Sequence, residues 1–227
     1  MGPEMQQEFS LSKEQVSEFC ASLSKARFAR YLTEANGDEQ KALKLYFWNV
    51  KLSQSLYLPL QTWEVCLRNK LNAFLSWKFN SKWPFDIKRA IRQLNARDKQ
   101  KVADAIERQE RDRGKGNVST DAIVADLSVG FWVSLLTAGY DPKFAWRYNL
   151  TRVFPNATKE WDREAAHTDC DLLLNARNRV AHHEPIYHLD LKGVHEAALR
   201  TLRGMCPASY VYVEQTCDFR ERLKVRP

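Results

Sequence analysis

Apolar residues recur every three or four positions through most of the chain, and this period is typical of amphipathic helices. The repeat is clearest after Pro59, where the apolar positions are Leu60, Trp63, Leu67, Leu71, Phe74, Leu75 and Phe79. Glycine and proline, which break helices, number only 8 each in 227 residues. Long stretches without breakers favour helices over many short strands. The pattern therefore predicts an all-α protein.

Capping residues and breakers set the expected helix boundaries. Ser10 or Ser12 is expected to cap a first helix that ends at residues 36–37. Asp38 is expected to cap the next helix, which Pro59 interrupts or kinks. Further helices are predicted over residues 84–94, 98–111, 121–138, 144–154, 159–183, 190–202 and 207–223. The last of these is rich in tyrosine and valine and is equally compatible with a strand.

Composition limits the domain organisation and the class of protein. Hydrophobic residues make up 44% of the chain and aromatic residues 11%, which suffices for a buried core. Residues 1–9 are expected to form a flexible lead and residues 10–227 a single domain, because no repeat or long linker divides them. No apolar run approaches the roughly 18–20 residues that span a bilayer, and no signal peptide is recognisable. The 5 cysteines lack C-x-x-C spacing and are expected to be buried free thiols, so we expect a cytoplasmic protein.

Basic residues exceed acidic ones, and they are concentrated in one part of the chain. Lys and Arg number 35 against 28 Asp and Glu, and the resulting net charge of +7 favours a polyanionic partner. The most basic stretch, residues 88–113, is either a solvated helix face or a surface that follows phosphates. Farther upstream, Glu64 and Arg68 stand four apart, which is the spacing of an ordinary ion pair on a helix surface.

The stretch most suggestive of chemistry begins at Arg177 and ends at Pro185. Two histidines, His182 and His183, are adjacent here, and Pro185 is expected to end the helix that carries them. Asn178 and His182 are four apart and therefore share one face of a helix. Arg177 and His182 are five apart, roughly 140° around the axis, so a single helix does not stack them. A second, antiparallel copy of the helix would bring two Arg/His sets together.

A histidine and an arginine in this arrangement suit phosphodiester chemistry, because histidine exchanges protons near neutral pH and arginine binds phosphate. Three other interpretations stay open. The histidines are also favoured at a helix C-terminus by the helix dipole. Arg177 is also able to pair with Asp171 or Glu184 in a structural role. A metal site that includes His188 and His195 is disfavoured, because the chain lacks the second histidine of an H-E-x-x-H helix.

Arg177, Asn178 and His182 resemble the R-x4-H signature of the HEPN ribonuclease superfamily. The longer string RNRVAHHEPI, over residues 177–186, resembles the Abi-like abortive-infection branch of that superfamily, of the AbiD/AbiF type. Three other segments resemble the same branch: residues 64–69, 124–132 and 154–156. The resemblance extends from about residue 28 to the C-terminus.

The resemblance implies a HEPN-like helical bundle with additional helices, and a metal-independent endoribonuclease that needs no cofactor. Single-stranded or looped RNA would be cleaved by attack of its own 2′-OH, leaving 2′,3′-cyclic phosphate and 5′-hydroxyl ends. His182 would be the general acid or base, Arg177 would hold the scissile phosphate, and Asn178 would orient His182 or contact the phosphate. His183 and Glu184 would support them.

Partners are implied by the same resemblance. The further RNA-binding candidates are Arg68, Asn69, Lys88, Arg89, Arg92 and Arg179. A composite site built from two motifs implies a homodimer, because Ala73 stands where an internal second motif would need its histidine. The family also implies a bacterial antiphage toxin held inactive by an antitoxin, for which a small structured RNA is a candidate. The alternatives are a catalytically silent RNA-binding module and a regulatory subunit with an apolar partner surface.

Overall fold

A 40-residue helix over Glu39–Lys78 organises the molecule. Asp38 caps it as expected, since its carboxylate accepts a hydrogen bond from the N–H of Lys41 at 3.0 Å. The apolar residues that repeat along it are buried, among them Leu45, Leu52, Leu56, Trp63, Leu67 and Leu71. Because these residues occupy more than one side of the helix, other helices pack around it.

The structure, a computed structural model, describes residues 11–227, and this part of the chain contains helices and no strand. Its α-helices are α1 (Lys13–Ser22), α2 (Lys25–Glu34), α3 (Glu39–Lys78), α4 (Ala96–Arg113), α5 (Thr120–Asp126), α6 (Val129–Ser134), α7 (Asp141–Phe144), α8 (Trp146–Val153), α9 (Arg163–Ala181), α10 (Leu191–Met205), α11 (Pro207–Thr216) and α12 (Phe219–Lys224). Short 3-10 turns lie at Trp83–Phe85 and Ala138–Tyr140, and a π-helical turn at Ile87–Ile91. The predicted all-α class is confirmed. The lead over residues 1–9 and Ser10 as a cap lie outside the described residues.

Several predicted helices are divided. The first is broken at Ser24, whose φ is 69°, so that Ser12 caps only α1. The helix predicted over residues 121–138 bends at Leu127 and Ser128, which have extended backbones, and continues as α6. The segment predicted over residues 207–223 forms two helices, so its interpretation as a strand is wrong. The apolar period continues across these breaks, because the residues on both sides pack into one core, and the period therefore does not reveal them.

Helix α9 begins later than the sequence predicts. Asp162, not Thr158, caps it, because the Asp162 carboxylate accepts the N–H of Ala165 at 2.9 Å. Residues 158–161 form a turn closed by a bond from the N–H of Trp161 to the carbonyl of Thr158 at 3.2 Å. Asp190 caps α10 as predicted. Helix α10 packs against both α3 and α9 and so supports the helix that carries the candidate residues.

Pro59 lies inside α3, where it removes one backbone hydrogen bond. Since proline has no N–H, the carbonyl of Ser55, four residues earlier, has no donor within the helix. A distant residue supplies the donor: the thiol of Cys217 lies 3.3 Å from this carbonyl. Helix α3 therefore continues through Pro59, and the interruption considered from the sequence does not occur.

Replacing Cys217 by alanine is expected to lower the free energy of unfolding by about 1 kcal/mol, because the Ser55 carbonyl loses its donor. Cys217→Ser keeps a hydroxyl donor and is expected to retain most of the stability. Chemical denaturation measures both. Pro59→Ala restores a backbone N–H that donates to the Ser55 carbonyl, so Cys217→Ala should lower the free energy of unfolding by less in that background. An equal loss in the two backgrounds would contradict this pairing.

The packing of the helices determines how far each cysteine thiol is exposed. All five cysteines are free. Cys170 is fully buried, and burial raises the pKa of its thiol to about 12. The other four are partly exposed, so the expectation of burial holds for Cys170 alone.

Among the described residues, no helix combines the length and the apolar character needed to cross a membrane.

Candidate functional site

The helix that carries the candidate residues, α9, ends in a left-handed turn. His182 is its capping residue, and His183 has a φ of 55°. The N–H of His183 donates to the carbonyl of Val180 at 3.1 Å, and the N–H of Glu184 donates to the carbonyl of Arg179 at 2.9 Å. This pair of bonds is the Schellman arrangement. The left-handed residue, rather than the following proline, therefore ends the helix.

Glycine in place of His183 is expected to raise the free energy of unfolding by about 0.5–1 kcal/mol. The reason is that glycine adopts positive φ without the steric cost that a side chain incurs there. His183→Val, which is β-branched, is expected to lower stability instead. Thermal melting of the two variants tests this account. A His183→Gly protein less stable than wild type would show that the imidazole makes a stabilising interaction.

Asn178 and His182 belong to one helical turn, as their spacing predicts, because the N–H of His182 donates to the carbonyl of Asn178 at 2.9 Å. The His182 side chain is exposed, and Asn178 is half-buried. Over residues 11–227, neither side chain has a hydrogen-bond or ion-pair partner. Both are therefore available to a ligand.

An acid from α3 holds Arg177. The Nε of Arg177 donates to Oε2 of Glu64 at 2.9 Å. The partners considered from the sequence are occupied elsewhere, since Glu184 pairs with Arg179 at 3.2 Å and Asp171 accepts a bond from within α9. The Glu64 bond uses only Nε. In the described part of the chain, the two terminal amino groups of Arg177 have no protein partner, and the side chain is 38% exposed.

Arg177 lies at a groove of about 280 Å³ between α3 and α9. The groove is lined by Tyr57, Leu60, Gln61, Glu64, Val65 and Arg68 from α3, and by Arg177, Val180 and Ala181 from α9. Arg68 donates to the carbonyl of Ala125 at 3.3 Å, so the surface ion pair expected between Glu64 and Arg68 is not formed. Two guanidinium groups, from Arg68 and Arg177, therefore line one opening.

Asn49 supports this site and was not among the predicted site residues. It is buried on α3, and its side-chain oxygen accepts the N–H of Ile186 at 2.7 Å and that of Tyr187 at 3.3 Å. These bonds tie the segment after the left-handed turn to α3. A signal was present in the sequence, because a polar residue occupies a position in the apolar repeat of α3.

The remaining predicted residues are distributed over the surface. Arg179 pairs with Glu184, and Asn69 is exposed on α3. A basic group of three lies at and just after the π-helical turn, is exposed, and does not line the groove: Lys88, Arg89 and Arg92. The structure thus brings Arg68 beside Arg177 and leaves this group apart from the groove.

The histidines considered as metal ligands are differently placed. His195 is buried on α10, its ring stacks on Phe219 with 4.8 Å between centroids, and burial lowers its pKa. His188 lies at the surface. Partial burial of its ring lowers its pKa, and the positive charges of Arg179 and Arg30 lower it further. The described residues contain no group of three or more His, Cys, Asp or Glu arranged to hold a metal ion.

Comparison of the chain with models of known families, with curated proteins and with solved structures yields no match. Fold and site together define an all-α protein in which an exposed histidine and an acid-held arginine stand at the C-terminal end of one helix.

Proposed function

We propose that this chain is a metal-independent endoribonuclease of the HEPN type. The observation that carries the proposal is the state of Arg177 and His182 at the end of α9. The imidazole is exposed, and it has no partner among residues 11–227. The guanidinium is anchored through Nε while its terminal amino groups stay available beside an open groove. A structural ion pair explains the anchoring, but it gives no role to the exposed histidine one turn away.

The chemistry assigns one step to each group. The 2′-oxygen of RNA attacks the adjacent phosphorus, its proton passes to a base, and the bond from phosphorus to the 5′-oxygen breaks as that oxygen gains a proton. An imidazole in position to give or take these protons contributes roughly 10²–10⁴-fold. The amino groups of Arg177 bind the phosphoryl oxygens, whose negative charge grows in the transition state. Asn178, on the same face as His182, orients the imidazole or contacts the phosphate.

Two proton transfers on opposite sides of one phosphate favour two histidines. The chain has a single R-x4-H motif, so the second histidine comes from a second copy in the proposed homodimer.

The biological role we propose is that of a bacterial antiphage toxin that acts in the cytoplasm and is silenced by an antitoxin. A small structured RNA fits a protein of net charge +7.

The second candidate is an RNA-binding module without catalysis. The paired guanidinium groups of Arg68 and Arg177 at one groove favour it, because they suffice to bind phosphate whether or not His182 transfers protons. This candidate accounts for the groove but again leaves the exposed imidazole without a role.

The test is incubation of the purified protein with a mixed single-stranded RNA in EDTA. We expect cleavage that yields 2′,3′-cyclic phosphate and 5′-hydroxyl ends, and no cleavage of the same strand with a 2′-deoxyribose at the scissile position. Cleavage that requires added metal, or that persists on the 2′-deoxy strand, would overturn the mechanism. Binding without cleavage would select the second candidate.

Glu64 is expected to act as a positioning residue for Arg177. Glu64→Ala should reduce kcat by about 10-fold, because the freed guanidinium samples many rotamers, while the free energy of unfolding changes by less than about 1 kcal/mol for a partly exposed pair. Glu64→Gln keeps an acceptor for Nε and should recover part of the rate. Faster cleavage by Glu64→Ala would mean instead that the carboxylate competes with phosphate for the arginine.

A further inference from the structure

Two segments of the chain that contain no Asp or Glu meet at one surface. They are residues 65–85, which run from the middle of α3 through the 3-10 turn after it, and residues 142–159, which contain α8. Their basic residues are Arg68, Lys70, Lys78, Lys82, Lys143, Arg147, Arg152 and Lys159. Helix α8 packs against α3, so the basic residues of the two segments that lie near this contact meet without acids from either segment. Arg68 lies apart from them, in the groove at Arg177. Asp141, Asp162 and Glu164, from outside the two segments, line a hollow with Arg147 and Lys159.

Large aromatic side chains are exposed where the two segments meet. Trp77 on α3 is 53% exposed, and Tyr148 on α8 is 75% exposed. The guanidinium of Arg152 stacks over the Trp77 ring at 3.5 Å from its centroid. Tyr148 and Arg152 are four apart on α8, so they share a face and lie about one turn from each other. This spacing places Trp77, Arg152 and Tyr148 in one row, which we call the stacking row, and the guanidinium of Arg147 lies 5.7 Å from the centroid of the Tyr148 ring.

The stacking row has a firm base. The Trp77 ring packs against Phe74, with 6.0 Å between centroids, and Phe74 is buried in the core. Ala73 and Asn69, one and two turns before Trp77 on the same side of α3, are both exposed, so the surface continues along α3 from the Trp77–Arg152 pair. Rings this exposed add little to the stability of the fold, because aromatic rings stabilise through the area they bury.

We infer that the stacking row is a binding surface for single-stranded nucleic acid, in which bases stack on Tyr148 and on the Arg152 guanidinium that lies over Trp77, while the neighbouring basic side chains contact phosphates. Exposed aromatics beside basic side chains are the two elements that bind single strands without sequence preference. An acidic peptide would use the charge but would leave the rings without a function. The choice of RNA over DNA rests on the proposed function, since base stacking does not depend on the sugar.

The surface is distinct from the groove at Arg177. Trp77 comes nine residues after Arg68, which places it about 13 Å farther along α3 and on the opposite side of the helix. A strand held by the stacking row therefore has to pass around α3 to reach Arg177. Loss of the stacking row should weaken binding and raise KM while leaving kcat nearly unchanged.

The test is fluorescence anisotropy with a labelled 12-nucleotide oligouridylate in which every 2′-OH is methylated, so that binding is measured without cleavage. We expect Trp77→Ala and Tyr148→Ala each to weaken binding about 10-fold, as loss of one stacked base does, and Arg152→Glu to weaken it further. Tyr212→Ala removes an exposed tyrosine from α11 whose exposed fraction, 58%, lies between those of Trp77 and Tyr148, so it is the matched control and should bind like wild type. An oligothymidylate of the same length should show the same ranking.

Two results would overturn the inference. One is wild-type affinity in both Trp77→Ala and Tyr148→Ala. The other is displacement of the oligonucleotide by polyglutamate, at equal charge concentration, that is equally effective for wild type, Trp77→Ala and Tyr148→Ala. Neither result bears on whether the unmethylated strand is cleaved, so the proposed ribonuclease activity stands or fails separately.

Discussion

Alanine at His182 is expected to reduce the rate of RNA cleavage by about 10²–10⁴-fold, because this imidazole is the group assigned to proton transfer. Arg177→Ala should cost about 10²–10³-fold, since it removes a donor to the developing phosphoryl charge. Arg177→Lys keeps the positive charge but loses the planar fork and the Nε bond to Glu64, so it should recover little. Initial rates on one fluorogenic single-stranded RNA compare all variants.

His188→Ala is the matched control, because it removes another exposed histidine six residues downstream of His182. It should cleave at the wild-type rate. A composite site with one histidine from each copy makes a further demand: an excess of His182→Ala should suppress the activity of wild type, because each mixed dimer has only one of the two histidines. Equal loss of activity in the His188 and His182 variants would remove the basis for assigning catalysis to His182.

Removal of the Asp98 carboxylate is expected to lower the free energy of unfolding by about 3 kcal/mol. Asp98 is 1% exposed, and it accepts bonds from Lys101, Ser134 and Tyr140 at 2.8 Å each and from Asn95 at 2.9 Å. Asp98→Ala leaves the buried Tyr140 hydroxyl and the half-buried Ser134 and Lys101 side chains without this acceptor, and a buried donor without a partner costs about 1–3 kcal/mol. Thermal and urea unfolding measure the loss. Asp112→Ala, an exposed aspartate on the same helix, should change stability by less than about 0.5 kcal/mol.

The same carboxylate gives the stability a defined dependence on pH. Burial by itself would raise the pKa of Asp98, but the bonds from Lys101, Tyr140 and Ser134 outweigh it and hold the pKa below its usual range. A carboxyl whose pKa is lower in the folded state stabilises the protein above its unfolded pKa and loses that effect as the pH falls through the folded value. The stability difference between wild type and Asp98→Asn should therefore be constant above about pH 5 and shrink below about pH 4. A difference that grows on acidification would contradict this.

Local sequence rules were sufficient for many helix ends. Ser12, Asp38 and Asp190 cap the helices that the sequence assigns to them, because a cap depends on residues within three or four positions. The shared turn of Asn178 and His182 is equally local. The rule failed at α9, which is preceded by two residues able to cap it. Thr158 begins a closed turn, and Asp162 caps the helix instead.

Contacts between distant residues were beyond these rules. Glu64 is 113 residues from Arg177, and Cys217 is 162 residues from the Ser55 carbonyl that Pro59 leaves without a donor. Helical periodicity indicates which residues are buried, but not which buried or half-buried groups meet. A proline inside a helical pattern therefore predicts a break, and only the packing of a second segment shows how the helix continues.

The sequence by itself determined the all-α class, the caps of the main helices, the absence of a long apolar segment and the placement of an arginine, an asparagine and a histidine at one helix end. All of these depend on composition or on short spacings. The tertiary structure decided that Glu64 holds Arg177, that Arg68 shares its groove, and that Trp77, Arg152 and Tyr148 form one exposed row. The physical reason is that these arrangements depend on how α3 packs against α8 and α9, and packing is set by the shape of the whole core.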